Sequence, residues 1–124
     1  MAYDKNNIFA KIIRGEISGK KVYEDDLVLA INDIAPAAPV HVLIMPKGEY
    51  VSFDDFARHA PPEVQTHFSK VVTEIARKTG VDKTGYRLIA NHGAHASQSV
   101  PHFHMHLIGG RALGGLLPGD QQNR

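Results

Sequence analysis

Val100-Pro101-His102-Phe103-His104-Met105-His106-Leu107-Ile108 is the stretch on which the reading of this chain turns. From His102 onward histidine alternates with apolar residues, the period of two that marks a strand with unlike faces. As a strand over 100–108, it sends His102, His104 and His106 to one side and Phe103, Met105 and Leu107 to the other. One face is core and the other is available for chemistry. Neighbouring imidazoles then stand about 7 Å apart at Cβ, from a rise of about 3.3 Å per residue, near enough for all three to reach one phosphate. Three histidines in strict alternation are uncommon on a face that merely meets solvent.

Upstream, the polar loop 91–99 separates this strand from a second, Tyr86-Arg87-Leu88-Ile89-Ala90. Pro61-Pro62 opens the clearest helix, whose stripe Val64, Phe68, Val71, Val72 and Ile75 has helical spacing and which stops at Gly80. A helical turn is expected within 52–59. Further back, Lys21–Glu24, Leu27–Ile31 and Val40–Met45 are short, rich in β-branched residues and bounded by Asp25-Asp26, Pro36, Pro39 and Pro46. Their brief connections favour an antiparallel meander. Ile8 with Ile12, and Phe9 with Ile13, recur four residues apart between an Asn start and the Gly15 stop, a short amphipathic helix. The sum is α+β: a single domain spanning 1–124, with about five antiparallel strands, one main helix and a short N-terminal helix. Its core runs from about 7 to 111. The Gly-rich tail 112–124 lacks a period and is expected to be loosely ordered unless a partner covers it.

The bulk properties narrow the function. A chain of 124 residues, 43% apolar, is of a size to build one core. A net charge of +1, with Lys and Arg dispersed, gives no basic stripe for a nucleic-acid polymer, though single nucleotides stay possible. The absence of cysteine removes disulfides, thiolate nucleophiles and Cys-based zinc sites, and fits a reducing compartment. Charges at Asp4, Lys5, Lys11, Arg14 and Glu16 interrupt the first 20 residues, so neither a signal peptide nor a membrane span is expected. The chain reads as cytoplasmic.

By spacing alone, the histidine face suits a zinc or manganese ion as well as a phosphate. The surroundings favour phosphate, because no Asp or Glu lies between Lys83 and Gly119, while Asn91, Gln98 and Ser99 supply neutral hydrogen-bonding groups. Adjacent imidazolium charges lower one another's pKa from a reference near 6.5, leaving some rings neutral at pH 7. His104, with a like neighbour on either side, is then the natural nucleophile toward the phosphate.

The run Gln98-Ser99-Val100-Pro101-His102-Phe103-His104-Met105-His106-Leu107-Ile108-Gly109-Gly110 resembles the signature of the histidine triad superfamily, and specifically its Hint branch of purine nucleoside phosphoramidases. Asn7 to Ile17, Glu24-Asp25-Asp26 and Asp33-Ile34-Ala35-Pro36 resemble that branch in the same order. The resemblance implies hydrolysis at the α-phosphate of nucleoside 5′-phosphoramidates or acyl-nucleotides, through a covalent nucleotidyl intermediate on His104, with no cofactor and no metal. It implies that His102 and His106 orient the site and donate to phosphoryl oxygens, that His41 on a facing strand contacts the triad, and that Ser99 passes a proton to the leaving group. Asn91 and Gln98 would fix ribose and phosphate, and Asp33 the ribose hydroxyls. Ile8, Phe9, Ile12, Ile31, Ile34, Leu43 and Val100 would form the slot for the base. Proteins of this kind are usually homodimers, and the main helix offers a contact surface.

Departures from the pattern are equally specific. Ser97 stands where a glycine usually precedes Gln-Ser. His92 and His95 are additional, and read as solvated loop residues. Leu116-Leu117-Pro118-Gly119 replaces the frequent Trp-Pro. The rival functions are dinucleoside polyphosphate hydrolysis, nucleotidyl transfer and nucleotide-dependent regulation with incidental hydrolysis. The transferase branch typically has glutamine in place of the last triad histidine, so His106 argues for water as the acceptor.

Overall fold

The computed structural model describes residues 2–121. Asn7 caps the first helix, α1 (Ile8–Ile13), its Oδ1 accepting from the Ala10 N–H at 2.8 Å. Three strands follow: β1 (Lys21–Glu24), β2 (Val28–Asn32) and β3 (Val40–Pro46). They form the expected meander, with Leu29 opposite Met45 and Ile31 opposite Leu43. Asp25 closes the β1–β2 turn: its carboxylate accepts from the Leu27 and Val28 N–H groups, from the Tyr23 hydroxyl and from His67. His67 lies on the main helix, so one side chain ties the hairpin to the layer above it.

Two helices, α2 (Phe53–His59) and α3 (Pro62–Lys78), and the single turn α4 (Val81–Thr84) then carry the chain across the sheet to its far edge. There β4 (Tyr86–Ile89) and β5 (Met105–Gly109) form the last antiparallel pair. The strand order is β1-β2-β3-β5-β4, so the last strand in sequence inserts beside β3 and leaves β4 at the edge. A 3₁₀ turn over Ala94–Ala96 occupies the loop between them.

Alternation along the strands divides the sheet into two worlds. Val28, Ala30, Val42, Ile44 and Leu107 pack beneath α3 against Phe68, Val71, Val72 and Ile75. Leu29, Ile31, Leu43 and Met45 face the other way, against Phe9 and Ile12 of α1. All of these are buried. α1 covers part of this face, and the histidines lie on the same side of the molecule, His102 and His104 against Phe9.

The histidine segment departs from expectation in one respect. The ladder begins at Met105 rather than at residue 100, so His106 lies on a strand while His102 and His104 precede it. Pro101 has no N–H to give a ladder, and the Phe103 N–H donates instead to the Tyr50 carbonyl at 2.7 Å. The alternation of direction survives. Phe103 points into the helix side, ring to ring with Phe56 and Phe68 at 5.0 and 5.5 Å, while His102 and His104 turn toward α1.

The tail expected to be loose forms irregular turns as far as it is described. The Arg87 guanidinium donates to the carbonyls of Gly114 and Gly115; residues 122–124 of that tail lie outside the described residues. Among the described residues, no helix is long and apolar enough to cross a membrane.

Candidate active site

On the α1 side of the sheet a cleft of about 390 Å³ opens at the end of β5. Ile8, Phe9 and Ile12 come from α1, Ile31, Asp33 and Ile34 from the end of β2 and the turn after it, and Leu43 from β3. Asn91, Ser97, Gln98, Ser99 and Val100 come from the loop, with His104 and His106 at the floor. Tertiary structure thus gathers nearly every residue singled out for the site. Ile34 is 100% exposed and Ile8 47% exposed, so this apolar wall lacks a protein partner among the described residues. Exposed apolar surface beside convergent polar groups is the usual make-up of a small-molecule site.

The three histidines are not equivalent. His104 is 9% exposed and meets the edge of Phe9, centroid to centroid 4.8 Å. Its Nδ1 lies 2.7 Å from the carbonyl oxygen of His102. A carbonyl only accepts, so Nδ1 carries the proton and the Nε2 of the neutral ring keeps its lone pair. The ring bordering the cleft is therefore held in the tautomer of a nucleophile.

His106 is set from the opposite direction. The Ala37 N–H donates to His41 Nδ1 at 3.0 Å, which leaves the proton of neutral His41 on Nε2. That Nε2 stands 2.8 Å from His106 Nδ1, which must accept. His106 consequently carries its proton on Nε2 and can donate to an acceptor in the cleft. The register explains the contact: His41 pairs with Ile108 and Leu43 with His106, making His41 and His106 diagonal neighbours on one face. His41 does not line the cleft. It stands behind His106, with Asp33 Oδ2 3.4 Å from its Nε2.

His102 has a different place from the one expected. It is fully buried, its Nε2 donates to the Pro46 carbonyl at 2.7 Å, and its Nδ1 accepts from the Tyr3 hydroxyl at 2.6 Å. Both nitrogens are engaged and the ring lies outside the cleft lining, so donation from it to a phosphoryl oxygen is not available in this arrangement. Its carbonyl is what reaches the site, through His104. Tyr3 escaped the sequence reading because a lone tyrosine in an irregular N-terminal segment carries no periodic signal.

All three triad rings are held below the ordinary histidine range. Burial is the main cause in each case, and it brings His102 and His106 to about 4. Charge on His104 adds a smaller lowering at both neighbours. For His104 itself burial is the only lowering influence, so desolvation, rather than the flanking histidines, keeps it neutral.

Gln98, expected to hold ribose or phosphate, spends its amide on the loop. Its Oε1 accepts from the Gly93 N–H, and its Nε2 donates to the carbonyls of Val51 and Val100. This bracing holds Ser97 at φ 56° and ψ 39°, left-handed and, among the described residues, the one non-glycine with positive φ. The departure from glycine is absorbed as local backbone strain beside the reactive rings. His92 and His95 are exposed; His92 borders a separate cavity of about 390 Å³ with Asp54, Asp55 and His59, which meets the cleft at Gln98.

Asp33, His41 and His106 each place a potential metal ligand atom within 4.8 Å of the others. Both His41 nitrogens already serve hydrogen bonds, so ligation by His41 has to break one of them.

The HIT domain family model matches residues 14–113. The chain belongs to the HIT family. It is 45% identical over 114 residues to the purine nucleoside phosphoramidase of Escherichia coli, an alignment covering 91% of this chain and 94% of that one. Among solved structures, a histidine triad protein from Clostridium difficile superposes with a TM-score of 0.82 at 40% identity, covering 94% of this chain and all of that one. A HIT family hydrolase from Legionella pneumophila gives 0.84 at 37% identity, covering 92% and 100%. This HIT protein thus has the fold class expected from its sequence, an open five-stranded antiparallel sheet, with His106 on β5 and the other two triad histidines on the segment that leads into it.

Two outcomes follow from the site. Replacing Ser97 by glycine removes the left-handed strain and should raise stability by up to about 1 kcal/mol, read as a higher Tm; an unchanged or lower Tm would show that the loop holds no strain there. The low folded pKa values of His102 and His106 make the unfolded chain bind more protons between about pH 6.5 and 4. Stability is therefore complete above the unfolded value and falls as pH drops through that window. Tm measured from pH 8 to 4 should decline below about 6.5, and His102→Asn should flatten the decline.

Proposed function

We propose that this HIT protein hydrolyses nucleoside 5′-phosphoramidates or acyl-nucleotides at the α-phosphate, by way of a nucleotidyl intermediate on His104. The observation that carries this reading is the hydrogen bond from His104 Nδ1 to the His102 carbonyl, which leaves a lone pair on Nε2 of a ring bordering the cleft. The phosphoramidase activity of the Escherichia coli relative supports it.

In this mechanism the base enters the slot between α1, Ile31 and Leu43, Asp33 receives the ribose hydroxyls, and Asn91 faces the sugar-phosphate. His104 Nε2 attacks phosphorus in line, forming an N–P bond as the P–N or P–O bond to the leaving group breaks. The His106 Nε2–H steadies a phosphoryl oxygen as charge builds there. The Ser99 hydroxyl passes a proton to the departing amine or carboxylate and regains one from the water that follows. Water then breaks the N–P bond and releases a nucleoside monophosphate, returning His104 neutral. A leaving group on the Gln98 side meets His92 and the carboxylates of Asp54 and Asp55, which are already paired with Arg58 and His59.

A second copy of the chain is the proposed partner. β4 is a sheet edge, Tyr86 and Leu88 on it are exposed, and Leu88 continues into an apolar hollow with Phe53, Phe56, Phe68, Val72 and Met105. An uncovered edge beside exposed apolar surface invites the same element of a twin.

His104→Ala should lower kcat on adenosine 5′-phosphoramidate by about 10³-fold or more, while calorimetry still detects nucleoside monophosphate binding; near-normal turnover in this variant would sink the reading. Intact-mass detection of a nucleotidylated wild-type chain would support it. A wild-type kcat/KM far below about 10⁴ M⁻¹s⁻¹ would point to a nucleotide-binding protein instead. For assembly, light scattering should report a dimer for the wild type and a monomer for Leu88→Arg, and a monomeric wild type would refute the paired edge.

A further inference from the structure

The described N-terminal residues run to the back of the triad and are pinned there. Asp4 Oδ1 accepts from the Asn6 N–H, and its carbonyl accepts from Asn7. The Lys5 ammonium pairs with Glu49 at 2.9 Å, and the Arg14 guanidinium holds the Lys5 carbonyl at 2.8 Å. These contacts place the Tyr3 ring edge-on against His102, with centroids 5.6 Å apart, and its hydroxyl on His102 Nδ1.

The chemistry of the two His102 bonds leaves no freedom. The Pro46 carbonyl can only accept, so His102 Nε2 must carry the proton. Its Nδ1 is then a buried lone pair that needs a donor, and the phenol supplies one. Burial raises the Tyr3 pKa, so the hydroxyl keeps its proton at any ordinary pH. A residue held on both ring nitrogens has a backbone with little room to move, and the carbonyl of that residue receives the His104 Nδ1–H.

We propose that Tyr3 is a positioning residue for His104: by donating to His102 Nδ1 it holds His102 in a single tautomer and place, and thereby fixes the carbonyl that orients the reactive ring. The part concerning turnover rests on the hydrolase reading above; the part concerning tautomers does not.

Tyr3→Phe keeps the ring contact and deletes the donor, so it isolates the bond. Long-range ¹H–¹⁵N spectra at pH 7 should show wild-type His102 protonated on Nε2 and His104 on Nδ1. In Tyr3→Phe both signatures should blur toward mixtures, and kcat on adenosine 5′-phosphoramidate should fall about tenfold or more, with KM within about twofold. Lys70→Ala, on the exposed side of α3 and away from the Tyr3 contacts, should keep wild-type spectra and turnover. Unaltered spectra in Tyr3→Phe would overturn the proposal, as would blurred spectra with unaltered kcat. If Tyr3→Phe fails to fold, the wild-type spectrum still decides: His102 in any state other than the Nε2–H tautomer is incompatible with it. A wild type that hydrolyses no phosphoramidate defeats the hydrolase reading alone, and the spectra then judge Tyr3 independently.

Discussion

The hydrogen bond between the His104 ring and the His102 carbonyl depends on a short stretch of chain staying off the sheet. In a regular ladder that carbonyl would be aimed sideways at a neighbouring strand, as the carbonyls of β5 are. Pro101 and the Phe103 N–H bond to Tyr50 hold residues 101–104 outside the ladder, and the carbonyl turns to meet a side chain instead. A period-two strand places rings on one face but does not choose their tautomers. The irregular approach to β5 makes that choice.

Each triad ring is governed by a different partner. His104 donates a hydrogen bond to a carbonyl and keeps a lone pair; His106 accepts a hydrogen bond from His41 and keeps a donor; His102 spends both nitrogens on the protein. One residue type thus supplies a free lone pair, a hydrogen-bond donor and a brace. Low polarity suits this division, because burial makes charging any of the rings costly and favours the neutral tautomers.

The same sheet keeps the chemistry separate from the packing that sustains it. Phe103 lies between His102 and His104 in sequence yet stacks among Phe56 and Phe68 on the far side. The aromatic cluster anchors the segment from behind while α1, too short to cover its whole face, leaves the cleft open. Strain at Ser97 is tolerated for a related reason. Gln98 ties the loop to Val51 and Gly93, and those bonds outweigh the preference of one residue for another conformation.

Much of this was legible in the residues themselves, since periodicity and punctuation are local. The α1 cap at Asn7, the α3 stripe from Phe68 to Ile75, the β1–β2–β3 meander and the alternation of histidines with Phe103, Met105 and Leu107 all follow from neighbours within a few positions. The resemblance to the histidine triad pattern extended that reading to Asp33, His41 and Ser99, which no periodicity marks. Only the tertiary structure decided the insertion of β5 between β3 and β4, the late start of the ladder, the withdrawal of His102 from the cleft and the part of Tyr3. These rest on partners far apart in sequence: Tyr3 is 99 residues from His102, His41 is 65 from His106, and Pro46 is 56 from His102. A local pattern can say which way a side chain points, but the atom that meets it there comes from whichever distant segment the fold brings alongside.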